Sequence, residues 1–151
     1  MAQGQSKKMK VLIILACGVM ANPVAALDLA NCYARSYSAD HLASHPIQQV
    51  SAIWMTRATE EVAPPGMVLN LSVRLKTSRE VFLGTAYCAP EGSGLACGME
   101  GDAGTFVIAP RKDAVLIALD RAGISFEGQS DFVTLSGSTG DDREFLLPVC
   151  P

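Results

Sequence analysis

Patterns that carry chemistry are scarce in this chain. Of its 151 residues two are histidine and one is tryptophan, and aromatic residues make up 6%. No two cysteines stand as C-x-x-C, which excludes a thioredoxin-like redox pair and a zinc site built from closely spaced thiolates. No G-x-S-x-G surrounds a serine and no free cysteine is set beside a histidine, so the usual frames for a nucleophilic hydrolase are missing. His41 is not followed by glutamate in the H-E-x-x-H manner, and the acidic loops around Glu100 with Asp102 and around Asp141, Asp142 and Glu144 lack the D-x-D-x-D-G order of a calcium loop. Long helical segments are absent too. No link between apolar stretches reaches the dozen or so residues that a parallel crossover takes.

What is present begins with "MAQGQSKKMKVLIILACGVMANPVAA", in which Lys7, Lys8 and Lys10 precede an apolar run from Val11 to Met20 and a small-residue site at Val24-Ala25-Ala26. That is the layout of a secretory signal peptide cleaved after Ala26. Asn22 and Pro23 interrupt the apolar run before the roughly 20 residues that a transmembrane helix takes. A lipoprotein anchor at Cys17 is the weaker alternative, because the apolar run before it is short and Leu15 stands where a small residue is usual. The expected organisation is a signal peptide over 1–26 and a single β domain over 27–151. The leader holds three of the 12 basic residues and none of the 15 acidic ones, so the remaining 125 residues carry a net charge of −6. That balance argues against a nucleic-acid partner or an anionic membrane surface.

Cys32, Cys88, Cys97 and Cys150 form an even set in an exported chain, where thiols pair. Four cysteines allow three pairings. Cys88 and Cys97 flank the turn "APEGSG" between "VFLGTAYC" and "LACGM", which favours joining them and leaves Cys32 with Cys150. On the loop-entropy account the short bridge stabilises by roughly 2.5 to 3 kcal/mol and the long one by about 5. The expected setting is the bacterial periplasm or the extracellular medium.

From Gln48 onward apolar segments alternate with turn chemistry. In "VLNLSVRLK", Leu69, Leu71, Val73 and Leu75 alternate with Asn70, Ser72, Arg74 and Lys76, the period of a strand with one buried face. Further strands are expected near Val50 to Thr56, Val81 to Cys88, Leu95 to Glu100, Thr105 to Ala109, Ala114 to Leu119, Ile124 to Glu127, Asp131 to Leu135 and Glu144 to Val149. Turn material such as "APPG", "GDAG", "DRAG" and "EGQSD" separates them. The fold class is therefore all-β: an antiparallel meander of about eight or nine strands, as a small up-and-down barrel or a two-sheet sandwich. "GMEGDAGTFVI" and "SFEGQSDFVTL" echo each other as two hairpins with Glu100 and Glu127 at equivalent places. One short N-terminal helix is expected in "SADHLASHP", capped by Ser38 and stopped at Pro46, with Leu42 covering an open end of the sheet.

On that helix His41 and His45 stand four apart on one face, a spacing that suits a zinc or copper pair. Tyr33 and Tyr37, also four apart, are expected to line an exposed binding surface with them. The leading function is an exported, non-enzymatic β protein that binds a partner protein, as an inhibitor does, or a small apolar ligand in a barrel mouth. In architecture alone it resembles small periplasmic inhibitors and lipocalin-like binders, with no motif of either. The alternatives are an envelope metal-binding protein using His41 and His45, and a structural or assembly component of the envelope. Mass mapping without reduction is expected to recover a peptide pair joined through Cys88 and Cys97; a peptide joining Cys88 to Cys32 overturns the pairing.

Overall fold

The alternation in the "VLNLSVRLK" segment becomes β3 (Met67–Leu75), in which Leu69, Leu71 and Val73 are buried while Asn70 and Arg74 face solvent. The pleat turns successive side chains to opposite faces, and burying one face selects this register. The computed structural model describes residues 27–60 and 62–151. The expected leader, with Cys17 and the cleavage point at Ala26, lies outside the described residues.

The fold is all-β and antiparallel. Around β3 run β1 (Cys32–Ser36), β2 (Val50–Arg57), β4 (Val81–Glu91), β5 (Gly94–Met99), β6 (Gly104–Arg111), β7 (Ala114–Glu127), β8 (Phe132–Leu135) and β9 (Glu144–Pro148), with a six-residue helix α1 (Ala39–Ser44) between β1 and β2. Each strand from β1 to β8 pairs with the next. β9 pairs with the first half of β7, from Ala114 opposite Pro148 to Ala118 opposite Glu144, and β8 takes the second half. β4 also meets β7, with Leu83 opposite Glu127. The chain end returns to its beginning: Tyr33 bridges to Val149, and the Cys150 N–H donates to the Cys32 carbonyl at 3.0 Å.

Two disulfides fasten these pairings. Cys88 and Cys97 stand directly opposite each other on β4 and β5 with Cα atoms 4.1 Å apart, and Cys32 joins Cys150 with Cα atoms 5.4 Å apart. Inward side chains, including Phe106, Phe126, Phe145, Ile53, Met55 and Leu71, form one contiguous apolar core. Among the described residues no helix is long and apolar enough to cross a membrane.

Three local expectations need correction. β1 was not foreseen, because "CYARS" has little apolar alternation of its own and owes its place to β2 and to the bridge at Cys32. Leu42 does not close an end of the sheet: α1 has no buried residue and Leu42 stays half-exposed. The segments 114–119 and 124–127 are one strand, β7, and "DRAG" is no turn between two. Opposite Gly104 and Phe106 of β6 stand Ile124 and Leu119 of β7, so residues 120–123 swell out as a bulge. The Asp120 carboxylate secures it by accepting from Thr105 Oγ1 at 3.0 Å and from the Arg121 N–H at 2.6 Å. The turn chemistry is real, and the strand absorbs it.

Gly123 ends the bulge with φ +81°, and a Cβ added there would lie 2.0 Å from the Leu135 carbonyl oxygen. Gly123→Ala is therefore expected to destabilise the fold by about 2 kcal/mol or more, read as a lower denaturant midpoint with unchanged slope. A midpoint equal to that of the parent chain contradicts the packing of β8 against the bulge.

Candidate functional site

The residues with chemistry gather in two places on the outer surface. The first is α1 and the end of β1. Ser38 Oγ accepts the His41 N–H at 3.2 Å and so caps the helix, while His45, in front of Pro46, leaves helical geometry with φ −122° and ψ 70°. The end of β1, the short helix and the residue that caps its C-terminus set four flat groups in a column. The Arg35 guanidinium lies 5.1 Å from the Tyr37 ring centre, Tyr37 stacks on His41 at 4.8 Å, and His41 stacks on His45 at 4.1 Å with the planes 16° apart.

Hydrogen bonds hold each ring of the histidine pair. His41 Nε2–H donates to Gln48 Oε1 at 2.9 Å, and the Gln48 amide is itself held because its nitrogen donates to the Val50 carbonyl at 2.7 Å. His45 Nδ1–H donates to the His41 carbonyl at 2.9 Å. The nitrogens left outside these bonds are His41 Nδ1 and His45 Nε2, in two nearly parallel ring planes. A zinc or copper ion sits about 2.0 to 2.1 Å from each imidazole nitrogen, in the plane of each ring, and parallel planes do not converge on such a point. Among the described residues no group of three or more His, Cys, Asp and Glu gathers to hold a metal ion.

Tyr37 is half-buried against the core, and burial pushes its phenol above the ordinary value, with Arg35 acting against the shift and Asp142 adding to it. Tyr33 does not share this surface. It is buried in the core with its hydroxyl accepting the Ala30 N–H at 3.0 Å, because the β1 pleat turns it inward. The column borders an open cleft of about 580 Å³ that also takes in Arg143 and Glu144.

Asp142 anchors this region from below. Only 2% exposed, its carboxylate accepts the N–H of Gln49 at 2.6 Å and of Val50 at 3.1 Å, tying the loop before β9 to the start of β2. Burial pushes its carboxyl above the ordinary range, against the pull of those two N–H groups; Asp141 adds to the rise and Lys76 opposes it.

The second place is a groove of about 620 Å³ over the seam between β4 and β7. Its floor is Gly84, where an added Cβ would lie 2.3 Å from the Met99 methyl and 3.2 Å from Phe126, so the missing side chain leaves room for both. Its rim carries Val81, Leu83 and Phe132, which are 37%, 57% and 69% exposed. Glu127 stands opposite Leu83 on one side and opposite Phe132 on the other, and Glu100 closes one end. The Glu80 carboxylate accepts the Gln129 N–H and holds the β7–β8 turn against the entry to β4. The two glutamates at matching places in the echoing hairpins thus line one groove.

Sequence reasoning passed over Leu83 and Phe132. A usable signal was the run Val81-Phe82-Leu83: on a strand with one face buried, three consecutive bulky apolar residues leave at least one outside. The remaining aromatics divide likewise, with Trp54 half-buried under the Arg74 guanidinium at 5.4 Å and Tyr87 exposed on β4. No family model matches the chain, and no curated protein or solved structure shows significant similarity to it.

Asp142→Ala leaves the N–H groups of Gln49 and Val50 without their partner and is expected to cost about 2 to 4 kcal/mol in denaturant unfolding. A carboxyl raised in the folded state contributes stability that is complete below its unfolded value, near pH 4, and that is lost as pH rises through the raised value. The stability of the parent chain relative to Asp142→Asn should therefore fall with rising pH over that interval, and a rise instead reverses the assigned balance of burial and hydrogen bonding.

Proposed function

We propose that this chain is an exported, non-enzymatic β protein of the periplasm or extracellular medium that works by binding a protein partner on its outer surface. Export is supported by the leader pattern and by two disulfides, which form and persist where thiols are oxidised. A barrel is favoured over a sandwich by the succession of pairings from β1 through β7 to β9, which the Tyr33–Val149 bridge carries back to β1. Its interior holds side chains rather than a lumen: Phe106, Phe126, Phe145, Ile53, Met55 and Ile117 are fully buried there. That packing weighs against a small apolar ligand inside and for a partner outside.

The observation that carries the proposal is the exposed apolar rim of Val81, Leu83 and Phe132 around the β4–β7 groove. Exposed apolar residues scattered singly are ordinary, whereas three gathered around one groove favour an interaction surface. A binding site also accounts for the glutamates there as rim charges.

A photo-cross-linking residue at position 83, introduced into the chain in its own cells, is expected to give a discrete adduct with another protein. The same residue at position 112, in the exposed β6–β7 turn, serves as the control. No adduct from position 83, or the same adducts from both, refutes the binding role.

A further inference from the structure

Building on that binding role, we infer that the β4–β7 groove receives a cationic amphipathic helix of the partner, with one basic side chain set between two apolar ones. The order of side chains across the strands carries this. Leu83, Glu127 and Phe132 form one cross-strand row on β4, β7 and β8, and direct partners in a sheet share a face. The row presents apolar, acidic, apolar. Glu100 adds a second carboxylate at the end of the groove, and none of the side chains that line it is basic. Arg74, the cross-strand neighbour of Val81, is engaged over the Trp54 ring.

Spacing selects the shape of the occupant. Neighbouring strands lie about 4.8 Å apart, so Leu83 and Phe132, two strands apart, stand about 10 Å from each other with Glu127 midway. On an α-helix laid along the row, residues i and i+7 are about 10.5 Å apart and i+3 or i+4 falls about 5 Å from either. Same-face residues of an extended strand recur at about 6.7 Å and fall out of step with the row. A helix with apolar residues at i and i+7 and lysine or arginine between them therefore matches both the chemistry and the interval. Met99 beneath Gly84 supplies a flexible floor to such an anchor. The net charge of −6 over residues 27–151 draws a basic segment in from a distance.

The probe is a synthetic helical peptide with leucine at i and i+7 and lysine at i+3 and i+4, titrated into the isotopically labelled chain 27–151 with its disulfides intact. A second peptide of the same sequence carries glutamate in place of lysine. The lysine peptide is expected to shift amide resonances of β4, β7 and β8 around the groove, with affinity that falls as salt is raised, while the glutamate peptide binds at least about tenfold more weakly. Glu127→Lys combined with Glu100→Lys should reverse that order. Both positions are exposed, and an unchanged near-ultraviolet dichroism spectrum certifies the fold. Leu83→Ser with Phe132→Ser should remove binding of both peptides. Equal affinity for the two peptides, shifts centred on the histidine column, or no binding overturns the inference. If the cross-link from position 83 still forms while the peptides fail in this way, the binding role stands and the cationic helix falls; if both fail, both fall.

Discussion

The joining of the two ends of the described chain is the constraint on which the rest of this structure depends. β1 has one full strand neighbour, β2, and its other side meets the chain end through the Cys32–Cys150 bridge, the Cys150 N–H to Cys32 carbonyl bond, the Tyr33–Val149 pair and the Arg35 bond to the Leu146 carbonyl. Closing a loop of 118 residues in the unfolded chain removes entropy equivalent to about 5 kcal/mol on the loop-entropy account. That is comparable with the whole net stability of a small domain, commonly about 5 to 15 kcal/mol. Without it β1 and β9 present open edges.

The first candidate site takes its place from that closure. Arg35 sits on β1 and donates to the Leu146 carbonyl of β9 at 3.2 Å, so the aromatic column rises from the joined edge itself. The groove lies at the far end of β7, past the bulge at 120–123 across which that strand changes partner from β9 to β8. The two surfaces differ in kind. The histidine column satisfies its own hydrogen bonds through Gln48 and the His41 carbonyl, and it buttresses the loop that Asp142 pins. The groove leaves large apolar side chains in water with carboxylates beside them, and burial of that apolar area is the free energy that a partner recovers.

How much was legible follows from how local each signal is. The alternation of β3, the cap at Ser38 and the stop at Pro46 act over a few residues, and each appears in the structure where the sequence places it. The turn residues of "DRAG" were equally plain, but whether they reverse the chain or swell a strand depends on β6, β8 and β9 alongside. The spacing of His41 and His45 put both rings on one face, as i and i+4 must be on a helix. That they stack and point their protons at Gln48 and a carbonyl was decided by the approach of Gln48, seven residues on and outside the helix.

Sequence alone determined the class of the molecule: strands because the apolar period is two, short antiparallel links because turn residues crowd between them, and cross-links because four cysteines lie in a chain with an export pattern. Those properties are local or compositional and need no knowledge of neighbours. The tertiary structure decided which apolar residues remain outside. In Val81-Phe82-Leu83 the side chains are chemically interchangeable, and only the register of β4 against β3 and β7 turned Phe82 inward and left Leu83 facing Glu127 and water.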